Sequence, residues 1–128
     1  MMKASVVLER LGEAPTLQDG LAPEAVAKAL RDLNGARDVT MIISAQGTSE
    51  RLMVAIDGSS AFLGLERSDG LLQFVIRGEQ EGTCLFTIGG QESEIERRYL
   101  PEIGTAAVVV KEWLQGGEIS SQGHWERQ

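Results

Sequence analysis

The sequence predicts an α+β domain: a largely antiparallel sheet of five to six strands with two helices, about 22–34 and 101–115, packed on it. Three observations carry this expectation. Two stretches have apolar residues at helical spacing between a Pro start and a Gly stop. Apolar or β-branched runs recur at intervals of about ten residues. The turns between these runs are far shorter than the dozen or so residues a parallel crossover needs, so neighbouring strands should run antiparallel.

Residues 4–8 (ASVVL… in outline) form the first β-branched run, and 12–21, rich in turn residues and without a period, reads as a loop. In 22–33, Val26, Ala29, Leu30 and Leu33 make one apolar stripe, while Glu24, Lys28, Arg31 and Asp32 fill the other side. Pro23 suits the first turn, where a missing N–H costs nothing, and Asn34-Gly35 ends the helix. The run 39–45 is apolar nearly throughout, as expected of a central strand buried on both faces. Strands are expected at 51–57, 61–66 and 71–77, with Asp69-Gly70 as a hairpin turn. The run 83–88 is expected to be the last core strand.

After Ile88 the alternation breaks at Gly89-Gly90. If 92–97 is extended, Glu92, Glu94 and Glu96 share one face. Glu79 and Glu81 lie across the preceding turn, so residues 79–96 hold five acids and no base. Pro101 opens the second helix, whose apolar face is Ile103, Ala106, Ala107, Val110, Trp113 and Leu114, widened by Val108 and Val109. Residues 116–128 read as a polar tail of this single 1–128 domain. Trp125 in that tail reads as a plug folded back on the core, with a displayed binding anchor as the alternative.

Composition narrows the function classes. Hydrophobic content of 42% and charge of 24% suit a folded domain rather than a disordered one. A net charge of −7 repels phosphates, which argues against direct nucleic-acid binding and against anionic membranes, and it would attract a basic partner. Cys84 is the sole cysteine, so no internal disulfide forms and a reducing, cytoplasmic compartment is expected. No apolar run reaches the ~20 residues of a membrane span, and the start of the chain lacks signal-peptide character.

No catalytic or cofactor constellation is expected. His124 stands alone, without partners at metal-ligand or general-base spacing, and reads as an exposed tail residue. Cys84, on one alternating face with Phe86 and Ile88, reads as a buried, inert thiol. Neither GxxxxGK[ST] nor GxGxxG occurs. The glutamates lack EF-hand spacing, and a glycosidase pair would need a cleft. They read either as a solvated edge or as a partner-facing acidic patch formed by Glu79, Glu81, Glu92, Glu94 and Glu96.

From Phe86 onward the order of features resembles the Imm1 family of bacterial immunity proteins. The matching elements are Thr87-Ile88-Gly89-Gly90-Gln91-Glu92-Ser93-Glu94, Tyr99-Leu100-Pro101, the helix from Ala106-Ala107 to Trp113-Leu114, Gly116-Gly117 and Trp125-Glu126. Gly90 and Trp125 are its structural markers, and the detailed resemblance covers roughly the last 45 residues. A proline expected shortly before the tryptophan is absent from 119–124. The resemblance implies a non-enzymatic α+β protein that binds and neutralises a cognate toxin of a polymorphic toxin system. Such toxins are often nucleic-acid deaminases with a basic cleft, and the immunity protein covers the active site. The alternative is a small ligand-binding or enzymatic α+β domain whose site is built from scattered polar residues.

Overall fold

The computed structural model describes residues 3–116 and 120–128. Seven strands form one antiparallel sheet: β1 (Ala4–Arg10), β2 (Thr16–Leu21), β3 (Val39–Ala45), β4 (Arg51–Asp57), β5 (Ser60–Arg67), β6 (Gly70–Ile76) and β9 (Gly123–Arg127), in the order β2-β1-β3-β4-β5-β6-β9. A separate antiparallel hairpin is formed by β7 (Thr83–Ile88) and β8 (Gln91–Glu96). The helices are α1 (Pro23–Asp32) and α2 (Ile103–Leu114). The α+β class and the antiparallel pairing are thus as the sequence predicts, with more strands than expected.

Both helices cover one face of the main sheet. Val39, Met41, Ile43, Leu52, Val54, Ile56, Ala61, Leu63, Leu65 and Phe74 alternate onto that face and are buried. They meet Val26, Ala27 and Leu30 from α1 and Ile103, Ala106, Val110 and Leu114 from α2. Trp113 is core, as its helical spacing predicts, and Val109 joins it, whereas Val108 is turned outward. The two helices are tied by Lys111, whose ammonium lies 2.6 Å from Glu24 and holds that carboxyl below its usual value.

Three expectations about strand placement require correction. Residues 12–21 were expected as loop, yet Thr16–Leu21 is edge strand β2. Five of its six residues are exposed, so backbone pairing rather than a hydrophobic period builds it. The run 83–88 is not the last strand of the main sheet but half of the separate hairpin. The sheet edge beside β6 goes instead to β9, drawn from the expected tail. Of that tail, residues 117–119 lie outside the described residues.

Strand β9 can pair here because Gly123 approaches β6 closely. A Cβ on Gly123 would lie 2.0 Å from the Val75 carbonyl oxygen and 2.9 Å from the Phe74 ring. The approach sets Trp125 edge-on to Phe74, with ring centroids 5.2 Å apart. Trp125 is half-buried against the main core, which fits the plug rather than the displayed anchor. His124 is exposed, although on strand β9 opposite Val75 rather than in a loose tail.

The second face of the main sheet is only partly covered, which is why alternate residues of β3 are half-buried instead of fully buried. The hairpin occupies one part of it. Phe86 packs there with Ala55 and Leu100, flanked by Phe62, Cys84, Ile88 and Ile95. Burying Phe86 should stabilise this docking by about 1.5–3 kcal/mol.

Candidate functional site

Alternation gives the β7–β8 hairpin two chemically different faces. Cys84, Phe86 and Ile88 point inward with Ile95. The opposite face pairs Thr83 with Glu96, Leu85 with Glu94 and Thr87 with Glu92. Directly opposed residues of an antiparallel pair share a face, so the three carboxylates stand beside a line of Thr83, Leu85 and Thr87. Leu85, at its centre, is 61% exposed, which is unusual for a leucine on a regular strand. Glu79 and Glu81 are exposed in the connection from β6 that enters the base of the hairpin, next to the Glu96 end.

These glutamates differ in their compensation. Glu96 lies 3.4 Å from the Arg98 guanidinium. Glu79, Glu81, Glu92 and Glu94 have no ion pair among the described residues. Their field is therefore open to an approaching partner.

The face is held rigidly by groups that sequence reading does not single out. Asp38 accepts the backbone N–H of Gly89 through Oδ1 and of Gly90 through Oδ2, each at 2.8 Å. Gly89 and Gly90 adopt φ of 59° and 81°, the left-handed turn that presents both N–H groups to one carboxylate. Asp57 accepts the Thr87 N–H at 3.0 Å, and Arg37 lies 3.5 Å from its other side. At the base, the Arg97 N–H donates to the Gly82 carbonyl at 3.0 Å. The signal for Asp38 was its place in an otherwise unexplained Arg37-Asp38 pair between a helix and a strand. Its partner lies 51 residues away, so no local pattern reveals it.

Tyr99 belongs to a separate pin. Its hydroxyl donates to Glu126 at 2.9 Å, while Arg98 donates to both Glu126, at 3.2 Å, and the Tyr99 oxygen. The Arg98 guanidinium also stacks on the Tyr99 ring, 4.4 Å from its centroid. Burial and the Glu126 carboxylate push the phenol above its usual value. This trio ties β9 to the segment before α2, and Tyr99 is too enclosed to act on a ligand.

Two concavities accompany the hairpin. One, of about 420 Å³, lies where β6, the start of β7, the segment before α2 and the approach to β9 converge; Arg77, Gln80, Cys84, Arg97, Glu102 and Thr105 are among its walls. Cys84 is thus half-buried at a cavity wall rather than fully buried as expected. The other, of about 330 Å³, is an apolar hollow on the uncovered sheet face, floored by Ile42, Met53, Phe62 and Gly64, with the Arg51–Glu66 pair at its rim. Among the described residues no group of three or more His, Cys, Asp or Glu side chains is arranged to hold a metal, and no helix is long and apolar enough to cross a membrane.

Chemically, the hairpin face offers acidic, hydrogen-bonding and apolar contacts on one pre-ordered surface, an arrangement suited to binding a basic protein surface. No protein-family model, no curated protein and no solved structure matches this chain.

Proposed function

We propose that this protein is an immunity protein: it acts in the cytoplasm by binding a cognate toxin domain and covering its basic, nucleic-acid-binding cleft. The observation that carries this reading is the outer face of the β7–β8 hairpin. Glu92 and Glu94 stand there, without an ion pair among the described residues, beside the exposed Leu85 on a turn clamped by Asp38. The Imm1 resemblance supplies the partner class, with a nucleic-acid deaminase as its instance.

Three physical points support the proposal. A hairpin already fixed on the main sheet loses little conformational entropy on binding. An acidic face in a chain of net charge −7 steers a cationic cleft toward it, raising association above the ~10⁵–10⁶ M⁻¹s⁻¹ typical without steering. An apolar residue inside the charged field supplies the desolvated contact that slows dissociation. Neutralisation by covering requires no chemistry from the protein itself, and a stable complex should bury on the order of 1,600 Å².

The test is co-purification with the toxin domain that this reading places in the neighbouring gene. The proposal expects a stoichiometric complex that survives gel filtration. Separate elution of two folded proteins at micromolar concentration would contradict it.

A further inference from the structure

We propose that the cavity at the junction of β6, the hairpin and the start of α2 is a receptor for a carboxylate. This inference stands independently of the toxin-neutralising reading. It rests on where positive charge has no ion pair among the described residues.

The chain has 19 acidic and 12 basic Lys and Arg side chains, so carboxylates are in excess. Nearly every cation has taken one: Arg10, Lys28, Arg31, Arg37, Arg51, Arg67, Arg98, Lys111 and Arg127 all lie within 4.0 Å of a carboxylate oxygen. Among the described residues the remaining cations are Lys3, Arg77 and Arg97. Both of these arginines line the same cavity.

The two arginines are held at the cavity by their backbones. The Arg77 N–H donates to the Gln122 carbonyl at 2.8 Å, and the Arg97 N–H to the Gly82 carbonyl at 3.0 Å. The Arg97 side chain lies over Gly82, its Nε 3.8 Å from where a Cβ would stand. Gln80 and Thr105 add neutral hydrogen-bonding groups, and Thr105 belongs to the first turn of α2, whose dipole favours an anion. Among the described residues, Glu102 is the one carboxylate in the wall.

Among the described wall residues, two cations against one anion leave a single positive charge. A polyphosphate would meet repulsion from Glu102 and from Glu79 and Glu81 nearby, whereas one carboxylate would not be overmatched. A planar carboxylate also fits the guanidinium fork in bidentate fashion. The occupant is therefore a carboxylate with a hydrogen-bond donor beside it for Glu102. It comes either from a small organic acid or from an acidic side chain of a partner polypeptide.

Cys84, the sole cysteine, lines this cavity and reports on it. Its modification rate is measured with a sulfonate-bearing and a trimethylammonium-bearing methanethiosulfonate, each normalised to a small free thiol. A protein of charge −7 would on average favour the cationic reagent. The proposal expects the anionic reagent to be favoured, on the order of tenfold, because the guanidinium charges are local. That preference should vanish in the Arg77→Gln/Arg97→Gln variant. Glycolate and the blocked tripeptide acetyl-Gly-Glu-Gly-amide are then tested for slowing modification by neutral methyl methanethiosulfonate. Protection by glycolate alone assigns a free acid, and protection by the tripeptide assigns a partner's side chain. Preference for the cationic reagent, or no protection by either probe, overturns the proposal. Should Cys84 resist all three reagents, glycolate titration followed at the Arg77 and Arg97 Nε–H resonances decides instead: shifts at both support the receptor, and their absence overturns it.

Discussion

The carboxylate of Asp38 accepts the backbone N–H of Gly89 at 2.8 Å, and its second oxygen does the same for Gly90. Asp38 itself adopts a φ of 50°, the left-handed region that costs a non-glycine residue about 1 kcal/mol or more. The strain is local, and what it secures is distant: the tip of the hairpin that carries Glu92 and Glu94. The proposed binding face thus depends on a residue outside the hairpin.

Asp38→Asn tests this clamp, because asparagine tolerates the left-handed conformation but lacks the charge and one acceptor. Global stability should fall by about 1 kcal/mol. Hydrogen exchange at Gly89 and Gly90 should accelerate beyond that global change, while β3 and β4 amides follow the global change alone. Equal acceleration everywhere would show that Asp38 supports the core rather than the turn.

Gly123→Ala tests the seating of β9. The added Cβ would meet the Val75 carbonyl oxygen at 2.0 Å, so the strand must move or detach. A stability loss above about 2 kcal/mol is expected from overpacking. Tryptophan emission should shift to the red as Trp125 leaves Phe74. Unchanged emission and stability would mean that β9 is not held as described.

Glu112 gives a pH dependence. Burial raises its carboxyl, but hydrogen bonds from the Ser120 hydroxyl and Ser121 N–H outweigh this and leave it below the usual value. A carboxyl lowered on folding adds stability that is present above its unfolded value and is lost as pH falls through its folded value. The stability difference between the native chain and Glu112→Gln should therefore be full at neutral pH and shrink in acid. A difference constant down to the acid transition would contradict the assignment.

Reversal of Glu92 and Glu94 to lysine separates binding from folding. Both are exposed and have no ion pair among the described residues, so stability should change by no more than about 0.5 kcal/mol. Association with the toxin should slow by about tenfold or more at low salt, and its salt dependence should flatten. Unchanged association kinetics would move the interface off the hairpin face.

The helices, the meander from β3 to β6 and the apolar core were legible in the sequence because burial imposes a period there. Val26 and Leu30 announce their face through helical spacing alone, whereas the run 39–45, expected to be buried on both faces, is fully buried only on the face of Met41 and Ile43. Strands β2 and β9 were not legible. They are edge strands held by backbone pairing, and the device that admits β9 is one missing side chain at Gly123. The shared face of Glu92, Glu94 and Glu96 was readable from alternation. Its anchoring was not, since Asp38 and Asp57 act across long sequence separations and Phe86 packs on Ala55 instead of continuing the main sheet. The residues carrying the Imm1 resemblance prove to be largely fastenings: Gly89 and Gly90 to Asp38, Tyr99 to Glu126, and Trp125 to Phe74.

The toxin-neutralising reading is tested most directly by titrating the activity of the toxin domain it requires, sought in the neighbouring gene, against this protein. Activity should fall linearly and vanish near equimolar protein, as expected when a tight binder covers the active site. Full toxin activity in the presence of a large excess of folded protein would contradict it.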